Sequence, residues 1–274
     1  MSVKTYTRAT TVAGTLADRF GLEQWSQRNV ALGIAARPDL YAQAASCTPE
    51  DKQELNRIVK QAQEAAKASS GANLGTALHR FTQRIDLGEE VSVPVQWQPD
   101  VEAYMFAIET HGIEVMPEWV ERVVVAPHID VAGTLDRLVR LPGRKLPMIA
   151  DLKTGQDVVK YSMGDIAVQL AIYAGATHAL KGSADDIKRD QWGRYMLPDP
   201  YTSSGAYDPM PEVDREQALV IHLPVGQARC DLHLVDIASG RVAVSKALWV
   251  RQWRARKDLS VPYMGKEAAR KKSA

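Results

Sequence analysis

Two aspartates and a lysine in the middle of the chain carry the most chemistry. The segment from Gly133 to Gly155 holds two apolar runs that flank Pro142-Gly143, and this reads as a β-hairpin. Asp136 and Asp151 are equidistant from a turn centred near Gly143 and Arg144. In antiparallel pairing they face each other, with Cβ atoms about 5 Å apart. Side chains alternate along a strand, so Lys153 points to the same side as Asp151. Two carboxylates and one ammonium then share one face of strands built from Leu, Val, Ile and Ala. Burying a carboxylate pair is unfavourable unless a cation neutralises it. Hard oxygen ligands of this kind suit Mg²⁺ or Mn²⁺. The plainer alternative pairs Asp136 with Arg137 or Arg140, and Asp151 with Lys153, on a solvated sheet face. Against it, Asp151 closes an apolar run beside Thr154-Gly155, where a charge at the end of a buried strand commonly serves a site.

The elements that must position these groups follow from periodicity. Helical spacing predicts helices over Val12–Phe20 and Leu22–Ala36, and another opened by Thr48-Pro49 with Thr48 as N-cap. Further helices are expected from Leu74 to Ile85, from Asp100 to Thr110, and from Ser162 to Leu180, the last with Ser162 and Asp165 as a capping box. A last long helix runs from Ala238 past Trp249 and Trp253, whose i, i+4 spacing predicts core packing. Strands are expected at Val91–Val95, Val120–Ala126, the hairpin, Ala218–Leu223 and Arg229–Ile237, with residues 181–217 as loop. This order predicts an α/β fold with a mixed sheet and an N-terminal helical portion.

The 274 residues suit one large domain. The net charge is +1, from 34 basic and 33 acidic residues, so any nucleic-acid site must be a local patch. Only Cys47 and Cys230 are present, which excludes a four-cysteine iron–sulfur cluster or zinc site within the chain. No apolar run approaches a membrane span, and the N-terminus lacks the apolar segment of a signal peptide. A soluble, cytoplasmic setting is the expectation, with no membrane partner. Dinucleotide, P-loop and His-Glu-x-x-His patterns are absent.

Four features stand in order: His79 in a Gly-Thr-x-x-His context, Asp136 in Gly-x-x-Asp, Asp151 and Lys153 in Asp-x-Lys, and Gln169 with Tyr173 in Gln-x-x-x-Tyr. This ordered set resembles the RecB-like branch of the PD-(D/E)XK nuclease superfamily, over roughly residues 70 to 180. The length and the Thr10-Thr-Val-Ala-Gly14 segment look like its stand-alone, phage-encoded members. The resemblance implies a restriction-endonuclease-like core in a single domain: a helical portion over 1–70, a nuclease core over 71–256 and a basic tail over 257–274. It implies a metal-dependent DNA nuclease, an exonuclease of recombination, repair or phage DNA processing. In this reading Asp136, Asp151, Lys153, Gln169 and Tyr173 are catalytic. His79, Asp136, Asp151 and the Leu152 carbonyl hold Mg²⁺ or Mn²⁺. Glu121 matches a family position ahead of the Gly-x-x-Asp strand and is a secondary candidate. The chain departs from the family in having neither the four cysteines of its iron–sulfur members nor an ATP-binding motif. It would act on DNA ends alone, or with a recombinase, annealing protein or helicase, in the host cytoplasm if phage-encoded.

Alternatives stay open for single residues. His79 reads equally as a core-edge histidine, Tyr173 as core packing, and Glu121 as a solvated strand face. Arg137 points away from Asp136 along the strand and reads as structural. Arg189, Trp192, Arg194 and Tyr195 interleave charge and rings, which suits single-stranded DNA; the alternative is a surface loop with some rings tucked inward. A different functional class fits the same residues: a nucleic-acid-binding or scaffold module whose nuclease site is inactive. So does another hydrolase with a carboxylate-bound metal.

Overall fold

A computed structural model describes residues 2–66 and 70–263. The chain opens with β1 (Val3–Arg8), a strand not expected in the helical N-terminal portion, and continues directly into α1 (Ala9–Ala13), which ends where the helix expected over Val12–Phe20 was to begin. Three helices follow: α2 (Phe20–Ala36), α3 (Pro38–Ala45) and α4 (Lys52–Ala65). They pack on one another around Leu40, Ile58 and Ala62. Thr48 does not cap α4. Its N–H and hydroxyl both donate to the Asp51 carboxylate, at 2.8 and 2.9 Å, and Asp51 is the N-cap residue. Next come α5 (Ser70–Asp86) and α6 (Gln98–Thr110). The strand expected at Val91–Val95 does not form; Pro94 has no N–H to pair, and a 3₁₀ turn at Val95–Trp97 takes its place.

The segment around Asp136 and Asp151 lies in β2 (Glu114–Val115), β3 (Arg122–Ala126), β4 (Val131–Leu135), β5 (Arg137–Arg140) and β6 (Met148–Lys153). The turn between β5 and β6 carries Gly143 at φ +74°. After α7 (Val158–Tyr161), α8 (Met163–Ala174) stops at Gly175. Residues 178–180, expected to continue that helix, instead form β7 (His178–Leu180). The long loop contains β8 (Tyr195–Pro198) and β9 (Tyr207–Pro209). The chain then runs through β10 (Gln217–His222) and β11 (Asp231–Asp236) into α9 (Ile237–Ala255). The Asp236 carboxylate caps α9 by accepting the Ser239 N–H at 2.9 Å.

The protein is α/β, with two mixed sheets flanked by helices and an N-terminal helical portion. One sheet runs β8-β1-β4-β3-β7-β9, with β1 parallel to β4. The other runs β11-β10-β6-β5-β2, with β10 parallel to β6. The largest core lies where α8 and α9 cover both sheets, around Leu135, Leu138, Ile149, Leu170 and Val220. A second core packs α5 and α6 on the opposite face of the second sheet, around Leu78, Tyr104, Leu152 and Ile221. Gly240 in α9 lets that helix close on α8, since a Cβ there would meet the Ala167 carbonyl at 2.3 Å.

Candidate metal centre

Asp136 sits at the junction of the two sheets. Before it the chain pairs with β3, and after it with β6. The β3–β4 register, Arg122 opposite Leu135, extends to place Glu121 opposite Asp136. The β5–β6 register, Arg137 opposite Ala150, extends to place Asp151 opposite Asp136, as the hairpin reading requires. The expected single strand is thus two, bent at the residue that carries the chemistry. Both polar ends of Asp136 are engaged there. Its carbonyl accepts the Glu121 N–H at 2.8 Å, and its Oδ2 accepts the Leu152 N–H at 2.8 Å.

His79 comes to Asp136 from α5. Gly75, one turn earlier, lies against Thr154 just past β6; a Cβ at that glycine would meet the Thr154 Oγ1 at 2.3 Å. This close approach brings α5 over the strand end, and His79 Nδ1 lies 3.8 Å from Asp136 Oδ2. Burial lowers the His79 pKa against the opposing pull of Asp136, so the ring is neutral and able to ligate near neutral pH. Glu121 completes the group: one ligand atom each from His79, Glu121 and Asp136 lie within 4.8 Å of one another. Glu121 enters β3 in the left-handed backbone region, at φ +52°. That conformation costs a non-glycine residue about 1–2 kcal/mol. Strain of this kind collects where a side chain must be aimed.

Asp151 is turned toward the other side of the site. Its side chain is 1% exposed, and its Oδ2 lies 2.5 Å from Lys153 Nζ. Burial, and then the charge of Asp136, push its pKa up to about 6, against the pull of Lys153. Burial alone would lower the Lys153 pKa, but Asp151 and Asp136 outweigh it and hold the group as an ammonium. From α8, Gln169 Nε2 reaches Asp151 Oδ1 at 3.4 Å and donates to the Tyr173 hydroxyl at 3.1 Å. Burial and the two aspartates raise the Tyr173 pKa well above the usual phenol value, so it remains protonated. Gly133 makes room for that ring; a Cβ there would meet Tyr173 Cε1 at 2.6 Å. The glycines of Gly-Thr-x-x-His and Gly-x-x-Asp therefore have steric reasons within this chain.

The predicted set thus divides. His79, Asp136 and Glu121 make one group that could hold a metal ion; Asp151, Lys153, Gln169 and Tyr173 make the adjoining polar wall. Leu152 contributes its N–H to Asp136. Arg137 is structural, as its strand position predicted: it is buried, with Nη1 2.6 Å from both Asp86 Oδ2 and the Tyr104 hydroxyl. The loop reading needs correction. Trp192 is 71% exposed and lies under the Arg194 guanidinium at 4.9 Å, but Tyr195 is only 5% exposed. Tyr195 packs with Tyr6, Leu197 and Tyr207 and has no face open for stacking. Arg189 lies over the Tyr195 ring at 5.4 Å. Trp249 and Trp253, expected in the core, are exposed and stack on each other at 5.6 Å. The basic tail beyond residue 263 lies outside the described residues.

A cationic cleft was not apparent in the sequence. A cavity of about 500 Å³ is lined by Thr11, Arg19, Phe20, Glu23, Arg251 and Arg254. It shares Thr11 and Arg251 with a second, of about 350 Å³, lined also by Arg8, Trp192 and Arg194. Arg8, Arg251 and Arg254 have no ion-pair partner among the described residues. The arginines of the two cavities come from three stretches of chain, Arg8 and Arg19, Arg194, and Arg251 and Arg254, so no local charge run announces them.

No protein-family model matches the chain, and a search of curated proteins returns no match. The chemistry therefore rests on the site. Its donors, a neutral imidazole and two carboxylates beside a buried aspartate–lysine pair, could hold a metal ion.

Proposed function

We propose that the chain is a Mg²⁺- or Mn²⁺-dependent DNA nuclease, an exonuclease of recombination, repair or phage DNA processing. The observation that carries this reading is the placement of Asp136 between Glu121 and Asp151 at the sheet junction, with His79 and Lys153 beside it. The donor set fits the ion: two carboxylates, Glu121 and Asp136, and the His79 imidazole converge, with the buried Asp151 opposite Asp136. Asp136, Glu121 and His79 would hold the ion directly, with Asp151 and the Leu152 carbonyl on its β6 side. When bound, such an ion supplies a water of lowered pKa and a Lewis acid for a phosphoryl oxygen.

The remaining roles belong to the protein. Lys153 is an ammonium, so it offsets developing charge on the phosphoryl group and does not abstract a proton. Gln169 orients Asp151 and offers its amide to the scissile strand, while Tyr173, buried in the core, anchors that amide through its hydroxyl. The arginine cleft with exposed Trp192 suits a polyanion that offers free base faces. A recombinase, an annealing protein or a helicase would deliver DNA ends.

The test is cleavage of labelled linear and circular DNA across Mg²⁺, Mn²⁺ and Ca²⁺, with and without chelator. Linear DNA should be degraded with Mg²⁺ or Mn²⁺ and circular DNA spared; Ca²⁺, with its looser geometry, should support little turnover. Full activity in excess chelator would sink the metal role. Tight binding with no cleavage under any ion would favour a binding module instead.

A further inference from the structure

A second cluster of ligating side chains stands on the sheet edge, apart from Asp136. The β10–β11 register sets His222 opposite Asp231 and Val220 opposite His233. Opposed residues share a face, and so do alternate residues, so His222, Asp231 and His233 project to one side. One ligand atom from each lies within 4.8 Å of the others. His222 is 3% exposed, and its Nδ1 is 3.9 Å from Asp231 Oδ2.

The two rings are prepared differently. His222 Nε2 lies 2.9 Å from the Gly155 carbonyl. A carbonyl only accepts, so Nε2 carries the proton, and in the neutral ring Nδ1 is a bare lone pair facing Asp231. This is the arrangement by which a metal-bound histidine is held: one nitrogen on the ion, the other N–H on a backbone carbonyl. His233 Nε2 is buried and has no hydrogen-bond partner. A buried ring nitrogen left unsatisfied is unfavourable, and it needs an explanation.

We propose that His222, Asp231 and His233 form a second cation site, selective for a borderline ion of the Zn²⁺ type. Two imidazoles with one carboxylate favour such an ion over Mg²⁺, which takes oxygen ligands. Tetrahedral Zn²⁺ with bonds near 2.0–2.1 Å sets its ligands about 3.4 Å apart, so the 3.9 Å gap closes by a few tenths of an ångström. Three protein ligands leave one position for water. Asp231 also forms an ion pair with Arg229, Nε to Oδ2 at 3.0 Å, and this half-exposed guanidinium now occupies the cation's place on the carboxylate. Its exposure lets it swing away.

This site is not the second ion of a two-metal nuclease centre. His222 is the register neighbour of Lys153 on β6, and Asp231 lies one strand further out. Asp136 stands one strand to one side of β6 and His222 one strand to the other, so two steps of about 4.8 Å set the two groups about 10 Å apart, against 3.5–4 Å between paired catalytic ions. The role is bracing. Gly155, which fixes the His222 ring, lies two residues past Lys153, so a filled site would hold the end of β6 that carries the ammonium. The inference stands independently of the nuclease reading.

The test is Zn²⁺ titration of the full, tag-free chain against a chromophoric indicator, with Co²⁺ absorbance reporting tetrahedral coordination. One Zn²⁺ should bind per chain, survive excess Mg²⁺, and raise the melting temperature. Asp136→Asn should retain that Zn²⁺, which separates this site from the one at the sheet junction. His233→Gln and Asp231→Asn should each weaken Zn²⁺ by more than about tenfold and abolish the Co²⁺ band. Arg229→Ala should tighten it. His222 is buried, and its replacement endangers folding, so the two less buried ligands carry the decision. Unchanged Zn²⁺ affinity in both His233→Gln and Asp231→Asn overturns the proposal, as does wild-type protein that binds no Zn²⁺.

Discussion

The Asp136 carboxylate accepts the backbone N–H of Leu152 at 2.8 Å, across the point where the chain leaves one sheet for the other. The side chain fills a ladder position that the bend vacates, so one residue serves both fold and chemistry. Asp136→Ala and Asp136→Asn both remove the charge, but only the amide keeps an acceptor for Leu152. Ala should therefore be less stable than Asn by about 1–3 kcal/mol, the cost of an unsatisfied buried N–H. Both should lose metal-dependent cleavage. Chemical denaturation of the two variants checks the first expectation. Equal stabilities would show that the hydrogen bond contributes nothing.

Asp151 makes the metal-free protein sensitive to pH. Burial and Asp136 lift its pKa from the ordinary 3.8 to about 6. A raised folded value favours the protonated form, so the stability it contributes is complete below pH 3.8 and is lost as pH climbs through about 6. Measured against Asp151→Asn, which does not titrate, metal-free wild type should fall in melting temperature over that window and level off above it. Binding of Mg²⁺ should tighten over the same window, because the ion competes with a proton. A wild-type-to-variant difference that stays constant from about pH 4 to about pH 7 would contradict the assignment.

What the sequence revealed, and what it concealed, has physical causes. The hairpin was legible because alternation, a Pro-Gly turn and equal arm lengths determine its register together. The break at Asp136 was hidden, since β4 and β5 read as one apolar strand and only their different partners separate them. Strand β1 pairs with β4 and β8, more than a hundred residues away, so no local signal marks it. Glu121 was visible by family position, but its weight depended on a register counted back across the Pro127–Asp130 turn. Trp249 and Trp253 misled because i, i+4 spacing of large rings imitates a buried face. The face α9 buries is the smaller-residue stripe Ile237, Gly240, Val244 and Ala247, which allows close contact with α8.

Arg137 should prove essential to stability and not to cleavage. Its side chain is 1% exposed and its partner Asp86 3%, at 2.6 Å. Removing one member of such a pair leaves the other charge stranded, which costs about 3–5 kcal/mol. Arg137→Met should be destabilised to that extent, and adding Asp86→Leu should restore much of it. Melting curves of the single and double variants decide this. A single variant as stable as wild type would mean the pair holds nothing.

The cleft makes the last prediction. Arg251 and Arg254 line it without ion-pair partners, so each is available to a phosphate. Each phosphate left without its cationic partner lowers the salt dependence of duplex binding by about 0.9, and of single-strand binding by about 0.7, in log–log slope. Arg251→Glu with Arg254→Glu should weaken DNA binding strongly at low salt and flatten that slope by nearly two such increments. Turnover at saturating DNA should be unchanged, because neither arginine touches Asp136, Asp151 or Lys153. Trp192→Ala should harm single strands more than duplex, since only unpaired bases offer faces to an exposed ring. Tyr195→Ala should act otherwise: its ring lies in the core, so it should lower stability and leave the preference between single strands and duplex as it was. Affinities for both DNA forms across a salt series separate these cases. An unchanged slope in the double arginine variant would remove the cleft from the DNA path.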